Sequence, residues 1–148
     1  MTRRAIVVGA SSGIGRELAR QLVAAGWLVG ITGRRVALLE ELAGTKPESF
    51  RVHAMDLADA AGAATELRAL DTALGGADLV IVSSGTGELN PGLDWGPEAV
   101  TIAVNVAGFA AVSGAAFRLF LERGRGHLVG ISSIAALRGG ADGPAYGA

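Results

Sequence analysis

The chain has 148 residues, half of them hydrophobic, with 23 glycines, no cysteine and a formal net charge of -1. Near-neutral charge argues against a nucleic-acid-binding surface. The lack of cysteine removes disulfides, thiolate nucleophiles and cysteine-based metal sites, and is compatible with the cytoplasm.

A mean hydropathy of +0.42 suits a parallel sheet covered on both faces, whose strands read as continuous Val/Ile/Leu runs. No stretch reaches roughly 18 uninterrupted apolar residues, so no membrane span is expected. The most apolar candidate, residues 100–116, contains Thr101, Asn105 and several small residues and reads as a buried helix. Arg3 and Arg4 precede only a strand-length apolar run, which gives no secretory signal.

In chain order, residues 5–8 form a first strand, and Gly9-Ala10-Ser11-Ser12-Gly13-Ile14-Gly15 follows it directly. Such a segment reads as a phosphate-binding turn between a buried strand and a helix. Glycine tolerates positive φ and has no Cβ to block a pyrophosphate. The free amides and aligned peptide dipoles of the first helical turn favour an anion there. The spacing is G-x-x-x-G-x-G, where the general dinucleotide fingerprint is G-x-G-x-x-G. A structural turn with no ligand is the competing reading, because a glycine-rich chain produces such triplets by chance.

Ile14, Leu18, Leu22 and Ala25 recur at helical spacing, with Gly26 as the C-terminal stop. Residues 27–32 are a second strand, and 36–43 a short helix ended by Gly44. Residues 50–55 form a third strand, and Asp59 caps a helix running to about Leu74. The fourth strand covers 78–82. A loop rich in Gly, Asn and Pro occupies 83–97, and a long helix then reaches about Arg123. Residues 126–132 supply a fifth strand, and Pro144-Ala145-Tyr146 opens one more helix. Strand and helix alternate throughout, the pattern of an α/β doubly wound parallel sheet. His53 and His127, the only histidines, are assigned packing or surface roles, and no metal site is expected.

These residues resemble the short-chain dehydrogenase/reductase family along the whole chain and in the expected order. Gly9, Gly13 and Gly15 match its cofactor loop, in which Ser11, Ser12 and Ile14 also stand. Asp56-Leu57 match its adenine-contacting pair, Asn105 lies within a long helix, and Ser133 and Tyr146 stand thirteen positions apart, the family's serine-to-tyrosine spacing. The resemblance implies a Rossmann sheet of order 3-2-1-4-5 with the ligand at the switch point between the first and fourth strands. It also implies a single NAD(P)-binding domain over residues 1–148, incomplete at its C-terminus. The family's tyrosine opens a Tyr-x-x-x-Lys motif, whose lysine would fall two positions beyond Ala148.

By the same resemblance, Tyr146 passes a proton to or from the substrate oxygen, Ser133 orients and polarises that oxygen, and Asn105 supports a water-linked relay. The lysine matters because a phenol of pKa near ~10 is a poor base at neutral pH without a nearby cation. Ser132 competes with Ser133, since alternation along a strand lets only one face the cleft; the spacing favours Ser133. Packing near a terminus is the other reading of Tyr146.

Cofactor choice is read at the end of the second strand. An acid there would accept hydrogen bonds from a free ribose 2′-hydroxyl and repel a 2′-phosphate. This chain has Gly33-Arg34-Arg35. Gly33 occupies the position where NAD-preferring members carry aspartate, and Arg34 follows as in NADP-preferring members. Arginine's planar fork suits a phosphate. NADP is therefore expected over NAD, with Arg34 ahead of Arg35; a solvated pair opening the next helix is the alternative.

Two departures from the family stand out. Val82-Ser83-Ser84-Gly85 replaces the usual Asn-Asn-Ala-Gly, leaving Ser84 and Gly85 as the cofactor-side residues, and Val8 replaces a threonine that ties those strands together. The wiring of the sheet centre is thus the least defined part of the expected fold. The expected activity is hydride transfer between NADP(H) and a small-molecule carbonyl or secondary alcohol, by a homo-oligomer. A nucleotide-binding module without redox chemistry is the alternative.

Overall fold

The computed structural model describes residues 2–140 and 142–148. Five parallel strands form one sheet: β1 (Arg4–Val8), β2 (Leu28–Gly33), β3 (Phe50–Ala54), β4 (Leu79–Val82) and β5 (His127–Gly130). Their order is β3-β2-β1-β4-β5, the expected Rossmann arrangement. The helices are α1 (Gly13–Ala24), α2 (Val36–Gly44), α3 (Ala60–Leu74), α4 (Trp95–Ile102), α5 (Phe109–Arg123) and the short α6 (Pro144–Gly147).

Burial follows from the two-sided covering. Ala5, Ile6, Val7 and Val8 of β1 are all fully buried. Ile6 and Val8 pack into one core with Leu67, Leu70, Val112 and Phe120 of α3 and α5, while Val7 joins the other core with Ala19, Val23 and Leu39 of α1 and α2. A fully buried side chain of this size contributes about 1.5–3 kcal/mol. The central strand is thereby fixed from both faces.

Local chemistry sets the boundaries. Asp59 caps α3 as expected, its carboxylate accepting from Gly62 N at 3.0 Å. Gly26, Gly75 and Gly124 end α1, α3 and α5 in the left-handed region, at φ 83°, 78° and 68°. Gly44, expected as a stop, is instead the last residue of α2, and the following Thr45 stays right-handed with its hydroxyl donating to Leu42 O at 2.7 Å.

The long helix begins at Trp95, before Pro97. Pro97 falls in the first turn, where its missing N–H would have had no helical partner. It does not run as a uniform α-helix either: residues Ala103–Gly108 form a π-helical stretch joining α4 to α5.

The expectation of a buried helix over residues 100–116 is only half met. Val104, Val112, Ala115 and Ala116 are buried, but Val100, Ile102 and Val106 are exposed, because only one side of the helix lies against the sheet and α3. The whole of Trp95–Arg123 is long and apolar enough to cross a membrane by length and composition, with 33% of its most apolar window buried.

Candidate functional site

Parallel registry brings the chemistry to one edge. Val8 pairs with Thr32 of β2 and with Val82 of β4, and Val82 pairs with Gly130 of β5, so four strands end level. Four loops therefore leave the same edge, where ligands of open α/β sheets bind. They line a cleft of about 880 Å³ with Gly9, Ser11, Ser12, Gly13, Ile14, Arg34, Arg35, Asp56, Leu57, Ser84, Gly85, Asn105, Ser133 and Tyr146. Every residue expected to bind the cofactor or take part in the chemistry is on that wall except Gly15, which is buried against Gly9.

The substituted sheet centre is wired through the backbone. Ser83 N donates to Val8 O at 2.8 Å, and Gly9 N and Ala10 N both donate to Thr32 O, at 2.9 and 3.0 Å. No threonine hydroxyl is needed at position 8, whose valine is wholly buried.

The three loop glycines have three different reasons. At Gly9, with φ 91°, a Cβ would fall 2.6 Å from Ser84 N. At Gly15 it would strike Gly9 O. Gly13, at φ 58°, has nothing within 4 Å of that position, so its conformation and the clear space above it face the cleft. Ser12 N-caps α1 without a side-chain hydrogen bond. The first-turn amides are thus left for an anion, and the loop fits a pyrophosphate.

At the end of β2 the two arginines differ. Arg35 donates from Nε and Nη2 to Ser11 Oγ at 3.2 and 2.9 Å and from Nη2 to Ser12 Oγ, tying the glycine loop to α2. Arg34 makes no side-chain hydrogen bond among the described residues and stands exposed on the cleft wall. A Cβ at Gly33 would meet Ser11 Oγ at an ordinary 3.7 Å, so space does not exclude an acid there. Asp56 accepts from Ala58 N at 3.0 Å, and Leu57 is buried under Gly108, where a Cβ would crowd the Leu57 backbone, 2.9 Å from its carbonyl carbon.

On the opposite wall, the π-helical stretch carries Asn105. Its Nδ2 donates to Thr86 O at 2.7 Å, and its Oδ1 accepts from Thr86 N at 2.9 Å. The side chain thus clamps the backbone of one residue of the β4–α4 loop on both its N–H and its C=O. Extra-residue turns of this kind gather at functional sites.

β5 stops at Gly130, so the alternation used to separate Ser132 from Ser133 does not apply, and both line the cleft. They differ in their bonding: Ser133 Oγ accepts from Ala135 N at 3.1 Å, leaving its O–H free to donate. Tyr146 is 43% exposed, with its ring against Gly87, where a Cβ would fall 2.7 Å from the ring's Cγ.

Sequence reasoning missed several walls of the cleft: Met55, Thr86, Val106, Phe109 and Ile131. Gly130 had a readable signal, being a glycine at the cleft end of β5, and Gly87 opens the 87–95 loop that could be expected to line the pocket. Gly130 leaves room for Phe109, whose ring would be 2.9 Å from a Cβ there.

Away from the cleft, His53 hydrogen-bonds the Glu66 carboxylate and His127 is exposed. Among the described residues no His/Cys/Asp/Glu cluster could hold a metal ion. Lys46, the chain's one lysine, lies in a separate hollow at the other end of the strands.

A Rossmann sheet with a glycine loop and a serine–tyrosine rim defines a dinucleotide-binding class, and sequence comparison names the family. The short chain dehydrogenase family model matches residues 3–148, so the chain belongs to that family. It is 40% identical over 154 residues to an uncharacterised oxidoreductase of Myxococcus xanthus, covering 99% of this chain and 60% of that protein. A 2-dehydro-3-deoxy-L-rhamnonate dehydrogenase (NAD(+)) of Sphingomonas sp. is 30% identical, covering 99% of this chain and 59% of its own length. A solved short-chain dehydrogenase from Streptomyces avermitilis superposes with a TM-score of 0.90 at 27% identity, covering 99% of this chain and 54% of that one. The chain thus spans about 60% of the first of these relatives.

Proposed function

We propose that this chain is the nucleotide-binding part of an oxidoreductase that moves hydride between NADP(H) and a small carbonyl or secondary alcohol. The observation that carries the reading is one cleft holding the glycine loop, Asn105, Ser133 and Tyr146 together. Residues 1–148 act as one NAD(P)-binding domain. When bound, the dinucleotide supplies or accepts the hydride.

Gly13 and the open end of α1 hold its pyrophosphate, and Asp56 and Leu57 flank the adenine. Ser84 and Gly85 border the opposite side of the cofactor path. The Ser133 hydroxyl donates to the substrate oxygen and polarises it. Tyr146 delivers the proton to that oxygen in reduction and removes it in oxidation, since it carries the one phenol of the chain and lines the cleft. Asn105 keeps the β4–α4 loop open beside them by its grip on Thr86.

NADP is preferred over NAD because Arg34 is uncommitted while Arg35 is spent on Ser11 and Ser12. The NAD(+) in the Sphingomonas relative's name belongs to that protein. No acid stands at position 33 here to repel a 2′-phosphate. The exposed Phe117 and Leu121 of α5 favour a homo-oligomer, and the cysteine-free chain is compatible with a cytoplasmic setting.

The test is Tyr146→Phe in the protein carried to the length of its relatives. NADPH binding, followed by fluorescence, stays at the wild-type level while turnover falls about 10²- to 10⁴-fold. A variant that turns over like the wild type would remove Tyr146 from the chemistry.

A further inference from the structure

Tyr146 occupies a helix of four residues, and no described residue from Leu121 to Ala148 is buried. Among these residues, the segment that carries the phenol is tied to the rest of the fold by a polar clasp. Glu98 of α4 accepts from Ala145 N on Oε2 at 2.7 Å, and from Asn90 Nδ2 on Oε1 at 2.7 Å.

Asn90 is only 4% exposed, and its amide is fully spent: Nδ2 also donates to Asp94 O at 2.9 Å, and Oδ1 accepts from Asp94 N at 3.1 Å. Its own N–H donates to Asp142 O at 2.6 Å. The turn it closes holds Leu93 at φ 54°, in the left-handed region that a leucine rarely adopts. Such strain persists only where the surroundings over-determine it. On the other side of the phenol, Gly87 gives the ring its seat.

We propose that Glu98, oriented by Asn90, is a positioning residue for Tyr146. It anchors the Ala145 amide to α4 and, through Asn90, to the β4–α4 loop, so that the loop and the tyrosine segment form one unit. The carboxylate does not touch substrate; it acts through the backbone, by a charge-assisted bond. The inference rests on Tyr146 as the proton-transfer residue. Small misplacements of such a group are costly, about 10²-fold in rate for an ångström.

The experiment uses the full-length protein labelled with 3-fluorotyrosine, the Tyr146 resonance being assigned by its loss in Tyr146→Phe. Glu98→Ala is expected to shift and broaden that ¹⁹F resonance and to lower kcat about 10²-fold, with KM and NADPH affinity unchanged. Glu98→Gln, which keeps an acceptor for Ala145 N, restores most of both. Glu98→Asp keeps the charge but is one methylene short of spanning Asn90 and Ala145; it moves both readouts in the same direction as Glu98→Ala, and serves if that variant does not fold. A native Tyr146 resonance in Glu98→Ala, or in Glu98→Asp, overturns the proposal, as does a kcat loss matched by an equal loss of NADPH affinity. A wild-type protein inert toward carbonyls, with the resonance still released by Glu98→Ala, would sink the oxidoreductase reading and leave the clasp standing.

Discussion

The two walls of the cleft are built by different physics. On the glycine-loop side, β1 is buried along residues 5–8, and the loop that follows is pinned through Gly9, Ala10 and Thr32 by backbone hydrogen bonds. On the tyrosine side no described residue after Phe120 is buried, and the segment is held by side chains gripping backbone: Asn105 on Thr86, Glu98 on Ala145, Ser133 on Ala135. Burial fixes the first wall without regard to what occupies the cleft. Within these residues the second is tied by a few bonds, each worth about 1 kcal/mol net, or up to about 3 where a charge takes part. Cofactor binding should therefore tolerate changes that disable chemistry.

Substitutions can break that contrast or sharpen it. The largest effect is expected from Arg34→Asp, which turns an attraction for a 2′-phosphate into a repulsion. NADPH affinity should fall by several kcal/mol, about a hundredfold or more, while NADH changes far less. Equal losses for the two dinucleotides in a fluorescence titration would remove Arg34 from cofactor choice.

Next is the frame beneath both walls, at the far end of the strands. Asp71, 2% exposed, takes two bonds from the Arg123 guanidinium and one from Ala77 N at 2.8 Å. The bonded Asp71 carboxylate holds the Arg123 pKa above its ordinary value. Asp71→Asn should cost about 3 kcal/mol of stability, read as a lower denaturation midpoint, and leave dinucleotide affinity intact. A matching drop in affinity would mean that the frame and the cleft are coupled.

The smallest effect on stability is expected at Gly13, where φ is 58° but a Cβ meets nothing. Gly13→Ala should cost about 1 kcal/mol in folding and weaken NADPH binding by more than that. A loss confined to stability would place the pyrophosphate elsewhere.

Legibility in the sequence follows the same divide. The strands and helices, the glycine loop and the Asp59 cap were readable because period and glycine placement report backbone geometry and burial, whereas the strand order and the grouping of Asn105, Ser133 and Tyr146 came through the family resemblance. Three features were not readable. The π-helical stretch at Asn105 has no compositional mark, since any apolar helix sequence accommodates an extra residue in a turn. The clasp of Asn90, Glu98 and Ala145 joins residues 8 and 47 positions apart through side chains that look like ordinary surface polars. The grip of Arg35 on Ser11 and Ser12 left no signal either: the resemblance put Arg34 ahead for the phosphate, but nothing in two adjacent arginines says that the second guanidinium reaches back to the glycine loop. Loss of the threonine at position 8 proved harmless because a peptide carbonyl, present in every residue, does the tying.

The most direct test is a single titration of the full-length protein with NADPH, read by fluorescence for binding and by absorbance for oxidation in the presence of carbonyl acceptors. Saturable binding, tighter than for NADH, followed by acceptor-dependent oxidation is the result this account predicts. Saturable binding with no oxidation, and no NADP reduction by the corresponding alcohols, would contradict the oxidoreductase and leave a nucleotide-binding module.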